Sequence, residues 1–278
     1  MRTSIWESSH MSNSQSAFDH LSGQSVLVVV AHGDDAVLFL GGTIRLLANA
    51  GAHVHVLRFT DDATDSDGLS ATETICRNEN EFALSAGILG VQGVTSLGFA
   101  SDSLGDQPRG VIREAGIRAI RRLRPYAVFS FDPYAVFGED NQDHIRLAQE
   151  MDESFWTAMF DKHHPEHFLE GLSPHGIVER WYFGRSVVSP TIDIDVSTVI
   201  DAKVNATLAH TTMMGNFMAQ LRLMGQTAGI EMNVLRDRFN NQDAIVCEFV
   251  NERITESFRV VRFSGAEQLF ADLEKASK

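Results

Sequence analysis

The sequence predicts an α/β fold, a mostly parallel sheet flanked by helices, and three observations predict it. Apolar runs of strand length alternate with helix-like stretches between residues 25 and 132, the succession that builds βαβ units. Two of those runs, Val26-Leu-Val-Val-Val-Ala31 and Tyr126-Ala-Val-Phe-Ser-Phe131, are nearly unbroken, as expected of strands buried on both faces of a parallel sheet. A chain of 278 residues with 44% hydrophobic content can also bury a sizeable core.

In order, the pattern reads as strand 25–31, helix 36–50, strand 53–60, a polar loop 61–70, helix 72–89 and strand 94–99. Helix 109–123 and strand 126–132 complete a Rossmann-like succession. Beyond it come a helix-like run from Ile145 to Phe160, strand 180–188, the alternating Ile192-Asp-Ile-Asp-Val196, and helix 197–224. A mixed region then leads to strand 258–263 and a last helix, 265–276. The expectation is one domain over 23–278: a Rossmann-like core to residue 145, then a C-terminal mixed α/β extension that shapes the substrate site. Residues 1 to about 22, rich in Ser, Asn, Gln and His, are expected to be a disordered leader.

Several function classes are disfavoured at this level. A net charge of −14 argues against nucleic-acid or anionic-membrane partners, which need a basic face. The arginines clustered between residues 113 and 124 read as the solvated side of a helix. No run is long enough to span a bilayer and no apolar signal region opens the chain. Two cysteines, Cys76 and Cys247, suggest free thiols and a cytoplasmic protein. There is no Gly-x-Ser-x-Gly elbow, and Gly41-Gly42-Thr43 falls inside the first helix, so it is no dinucleotide fingerprint. Asp61 to Gly68 has acidic alternation without the closing Glu of a calcium loop and reads as solvated.

The chemistry concentrates at two strand ends. The first buried strand delivers His32, Asp34 and Asp35 into the following turn, and the second is followed by Gly138-Glu-Asp-Asn-Gln-Asp-His144. In open α/β sheets, sites form outside the carboxyl ends of strands, so both junctions can face one centre. Two imidazoles and one carboxylate with an open position for water match a hydrolytic zinc site, and a further carboxylate can serve as base. The alternative is that the aspartates only cap the next helix.

At this point the chain resembles the PIG-L/LmbE-like family of zinc-dependent de-N-acetylases. That family carries Ala-His-Pro-Asp-Asp after its first strand, here Ala31-His32-Gly33-Asp34-Asp35, and His-Pro-Asp-His later, here Asn141-Gln142-Asp143-His144. A Lys…Ala…His helix is matched by Lys203 to His210, so the similarity spans roughly residues 25 to 215. The resemblance implies Zn2+ on His32, Asp35 and His144, with Asp34 as general base and Asp143 orienting a ligand. It also places Arg77 and Asp102 where relatives hold sugar hydroxyls; Arg77 could equally pair with Glu73 or Glu81 on its own helix. Gly33 replaces the family's proline, and Ala36 an acidic residue. The larger departure is Asn141, which stands where the family has a histidine that stabilises the tetrahedral intermediate. An asparagine amide donates a hydrogen bond but carries no charge, which makes His210 a candidate substitute. His164-Pro165-Glu166-His167 imitates the second motif more closely, yet no buried strand leads into it, and it reads as a polar loop.

The implied activity is hydrolysis of an N-acetyl, or other N-acyl, group on an amino sugar or a metabolite containing one. An amidase for a non-sugar amide and a decayed metal-binding or assembly protein remain open alternatives, as does a homo-oligomer. The Met-rich segment from Met213 to Met232 could shape an apolar pocket or simply pack as core.

Overall fold

The computed structural model describes residues 17–277. Its seven strands are β1 (Ser25–Val30), β2 (His53–Thr60), β3 (Gly93–Phe99), β4 (Ala127–Phe131), β5 (Glu179–Phe183), β6 (Ile192–Asp195) and β7 (Thr255–Arg262). They form one sheet in the order β3-β2-β1-β4-β5-β7-β6. β1 to β5 pair in parallel, and β7 runs antiparallel to both β5 and β6. The two unbroken apolar runs occupy adjacent strands at the centre, where every residue of β4 and all but the first of β1 are buried. Trp181 on β5 stacks on Phe129 at 5.2 Å and meets Phe18 and Phe258, closing the core toward the antiparallel end.

Nine α-helices are described: α1 (Asp35–Asn49), α2 (Ala71–Leu89), α3 (Arg109–Leu123), α4 (Gln142–Thr157), α5 (Ile200–Leu208), α6 (Thr211–Thr227), α7 (Met232–Arg238), α8 (Gln242–Asn251) and α9 (Glu267–Ala276). The chain steps from β1 to β2 to β3 in one direction, then returns to β4 and β5. Right-handed crossovers therefore put α1 and α2 on one face, α3 and α4 on the other. The reversal falls between β1 and β4, and the carboxyl ends of those two strands open the crevice that carries the site. On the first face α5 packs against α1, α2 and α8.

α1 is interrupted. Leu40 leaves helical geometry (φ −145°, ψ 24°), which frees the next amides. Glu256, on distant β7, accepts those of Gly42 at 3.0 Å and Thr43 at 2.7 Å. Lys203 on α5 pairs with the same carboxylate at 2.6 Å, all of it buried. A side chain at Gly42 would come within 2.4 Å of Val196, so the glycine is required by close approach. Gly41-Gly42-Thr43 is thus a capped break within α1.

Three expectations are corrected. The stretch read as one helix, 197–224, is a short 3-10 turn followed by α5 and α6, with a break at Ala209-His210. Glu81 on α2 supplies the reason: its carboxylate takes the Thr212 amide and the hydroxyls of Thr211 and Thr212, capping a new helix start. The leader is packed from residue 17 onward, because Phe18 and Leu21 are fully buried and His20 bonds Glu179 at 3.1 Å; residues 1–16 lie outside the described residues. The arginine face of α3 is only partly solvated. Arg121 is buried and holds the carbonyls of Ala158, Phe160 and His164. No helix among the described residues is long and apolar enough to cross a membrane.

Candidate metal centre

His32 leaves the end of β1, Asp34 and Asp35 open α1, and His144 sits in the first turn of α4. These elements converge. His32 Nδ1 lies 3.3 Å from His144 Nε2, Asp35 Oδ1 lies 3.1 Å from His144 Nε2, and Asp35 Oδ2 lies 3.6 Å from His32 Nδ1. Corners of a tetrahedral zinc site with bonds of about 2.0–2.1 Å stand about 3.3 Å apart. All three side chains are buried, and their ligating atoms face one another.

The outer nitrogens are held by carboxylates. His32 Nε2 bonds Asp143 at 3.2 Å, and His144 Nδ1 bonds Glu139 at 3.0 Å. This fixes both rings with one nitrogen turned inward, the arrangement that orients metal-ligating histidines. Asp143 is itself fixed by the amides of Asp102 and Leu104, each at 2.8 Å. Asp35 Oδ2 accepts the amides of Ala31 and His32, which pins the carboxylate beneath the turn. Phe131 stacks on the His144 ring at 4.2 Å and Phe39 meets its edge.

Electrostatics follow the geometry. Burial opposes charge on His32, but Asp143 and Asp35 outweigh it and raise its pKa well above the ordinary value. His144 is likewise raised against burial, to about 9, by Asp35 and Glu139. Against its own burial, Asp35 is held below the usual carboxylate range by His144 and His32. The neighbouring Asp34 moves the other way: burial and the Asp35 charge raise it well above ordinary. Two adjacent aspartates thus take opposite protonation tendencies, as a ligand and a base should. Asp34 stands at the cap position of α1 but makes no side-chain capping bond, so capping does not account for it.

A cavity of about 930 Å³ opens from this cluster. Asp34, Asn141 and Asp102 line it, joined by Thr64 and Asp65. Asn141 caps α4, its Oδ1 accepting the Asp143 amide at 2.8 Å, which leaves the Nδ2 group as a donor. Asp65, in the loop read as solvated, is raised to about 6 by burial. In that loop Asp62 is fully buried between Arg58, Thr60 and the Gly33 amide, so the acidic run supports the His32 turn.

A diacetylchitobiose deacetylase of Thermococcus kodakarensis is 30% identical over 189 residues, covering 67% of this chain and 69% of that protein. The chain belongs to the PIG-L family. The family model described as "PIG-L: GlcNAc-PI de-N-acetylase" matches residues 27–154, which contain both motifs. A 1D-myo-inositol 2-acetamido-2-deoxy-alpha-D-glucopyranoside deacetylase of Corynebacterium glutamicum is 28% identical, over 70% of this chain and 76% of that one. The N,N'-diacetylchitobiose deacetylase of Pyrococcus horikoshii shares the fold, with a TM-score of 0.67 at 21% identity over 86% of this chain and 84% of that chain.

Against the PIG-L motifs, the remaining expected residues fall as follows. His210 does not line the cavity. It is fully buried at the break before α6, bonded to Ser85 at 2.8 Å, and burial with nearby Arg58 lowers it to about 4. A neutral imidazole behind the wall is poorly placed to stand in for the histidine missing at Asn141. Arg77 is exposed on α2, near Glu73, and is also outside the lining. The imitation motif is structural: His167 is buried with Nδ1 against Arg121 at 3.2 Å and Nε2 on Glu114 at 2.8 Å. Glu139, Asp65 and Glu256 were not singled out by the motifs; Lys203, the first residue of the Lys…Ala…His helix, pairs with Glu256 at 2.6 Å. A carboxylate five residues before a ligand histidine was the one available signal for Glu139.

Proposed function

We propose that this protein is a zinc-dependent deacetylase that removes an N-acetyl group from an amino sugar. The observation that carries it is the convergence of His32 Nδ1, Asp35 and His144 Nε2 at tetrahedral spacing beside Asp34, whose carboxyl caps no helix amide and lines the cavity. The relatives' named activities on acetamido sugars support the substrate class.

His32, Asp35 and His144 would hold the ion, which when bound supplies Lewis acidity toward water and the acyl carbonyl. Asp34 takes the proton of the attacking water and later gives it to the departing amine nitrogen. Asn141 Nδ2 donates a hydrogen bond to the oxygen on which charge develops, the neutral counterpart of the family's histidine. Asp143 and Glu139 keep the two imidazoles in the tautomer that faces the ion. Asp102 and Asp65, with Thr64, accept from sugar hydroxyls. The net charge of −14 and two unpaired cysteines, Cys76 exposed, support a small-molecule substrate and a cytoplasmic setting. The continuous sheet from β1 to β7 supports reading the chain as one domain.

The test is Asp34→Asn measured beside metal content. Turnover of N-acetyl glucosaminides should fall about 10²–10⁴-fold while one equivalent of zinc is retained. Retained turnover, or an unmodified protein that takes up no zinc, would overturn the reading.

A further inference from the structure

We infer that Glu256, on β7, is a positioning residue for Asp34: its carboxylate holds the broken end of the helical segment that carries the base. This rests on the deacetylase reading, in which Asp34 moves the protons of the reaction.

The break at Leu40 divides α1 into residues 35–39 and residues 41–49. The first piece is little more than one turn long and cannot hold its geometry unaided. In an unbroken helix the amides of Gly42 and Thr43 would bond the carbonyls of Leu38 and Phe39, inside that first piece. Here both amides donate to Glu256, through separate oxygens: Gly42 to Oε1 at 3.0 Å and Thr43 to Oε2 at 2.7 Å. Lys203 Nζ reaches the same Oε1 at 2.6 Å. Its stem lies against the break, since a Cβ at Gly41 would come within 3.2 Å of Lys203 Cγ. Glu256 is 3% exposed and Lys203 1%, so the ammonium compensates a charge that burial would otherwise penalise. An anion at the start of the second piece also suits its helix dipole.

The two aspartates depend on this hold to different degrees. Asp35 is fixed locally, its Oδ2 accepting the Ala31 and His32 amides at 3.1 and 2.8 Å. Asp34 makes no side-chain capping bond, so its carboxyl is placed through the backbone of the first turn. That turn runs straight to the break: the Asp34 carbonyl accepts the amides of Val37 and Leu38 at 3.1 and 3.0 Å. Asp34, Leu38, Lys203 and Glu256 all line the one cavity. A shift at the break therefore passes through a single turn to Asp34, whereas ligation by Asp35 is buffered by its own two amide bonds. Misplacing a reacting group by about 1 Å can cost about 10²-fold in rate. Loss of Glu256 should slow the chemical step without emptying the metal site.

The experiment compares the unmodified zinc-loaded protein with Glu256→Gln and Lys203→Gln. It measures kcat and KM for an N-acetyl glucosaminide, zinc affinity by chelator competition, and amide hydrogen exchange over residues 34–43. Assays run well below the Tm of each variant, so that loss of folded protein does not enter. In Glu256→Gln the new side-chain amide sets its own protons against one of the two backbone donors. kcat should then fall about tenfold or more, while KM and zinc affinity stay within about twofold. Exchange at Gly42 and Thr43 should quicken in the same variant. Lys203→Gln leaves the carboxylate but removes its anchor, and kcat should fall about threefold with zinc affinity again kept. An unchanged kcat in Glu256→Gln would make the contact one of stability alone and overturn the inference. A loss of zinc affinity that matches the loss of kcat would overturn it too, because the metal site would then be what moved. If Glu256→Gln does not fold, Lys203→Gln decides by the same two criteria. An unmodified protein that hydrolyses no acetamido glycoside would instead overturn the deacetylase reading, a failure seen before any variant is compared.

Discussion

Two clusters in this molecule have nearly the same chemical inventory and opposite construction. His32, Asp35 and His144 turn their ligating atoms toward each other, and carboxylates outside the cluster hold the far nitrogens. His164, Glu166 and His167 also lie within reach of one another, but both ring nitrogens of His167 are already engaged, one of them by the Arg121 guanidinium. A fixed positive charge at 3.2 Å repels a cation, and a satisfied nitrogen gains nothing by binding one. Composition brings donors together; the direction of their lone pairs decides whether a metal can use them.

The largest separation between the two clusters should come from Asp35→Ala, measured by metal analysis and turnover. Zinc should be lost and turnover should drop at least about 10³-fold, since base catalysis and metal activation fail together. Full zinc content in this variant would erase the distinction. His167→Ala should leave zinc and KM unchanged but lower folding stability by about 3 kcal/mol, because Arg121 and Glu114 lose a buried partner. Chemical denaturation reads this directly, and a change in zinc stoichiometry would show the second cluster to be a metal site after all.

Glu139→Gln should weaken zinc binding about 10–100-fold, with the fold intact, as loss of an orienting carboxylate does elsewhere. Competition with a chelator measures it, and unchanged affinity would demote Glu139. The smallest effect concerns pH. His144 is raised from 6.5 to about 9, so its contribution to the metal-free protein is complete below pH 6.5 and drains away as pH rises through 9. The Tm of the metal-free protein should fall over that window, and less steeply in His144→Gln. Parallel curves would mean the Asp35 and Glu139 contacts do not act as described. Zinc affinity should run the other way, strengthening as the imidazoles lose protons.

How much of this was legible depended on distance along the chain. β1 and β4 were readable because strands buried on both faces must be apolar throughout, and each leads into a junction that carries candidate ligands. Asp143, expected to orient a neighbouring group because it adjoins His144 in its motif, bonds His32 Nε2 at 3.2 Å. The breaks were not readable. Glu256 interrupts α1 from more than two hundred residues away, and Glu81 caps α6 from α2. The local pattern still reads as continuous helix, which is why His210 was expected on a helix facing the site and instead lies buried at a helix start. Glu139 sits in a polar loop whose composition resembles any other turn. Phe18 and Leu21 were hidden by the polar residues around them.

The capped break in α1 also bears on biosynthesis. The two turns of helix that carry Asp34 and Asp35 are braced by a carboxylate on β7, one of the last strands to be made. A nascent chain that has completed α5 already contains the three candidate ligands and all of β1 to β5, yet leaves two buried amides and Lys203 without their acceptor. A chain without Glu256 would therefore hold all three candidate ligands and lack the brace on the turns that carry Asp34 and Asp35.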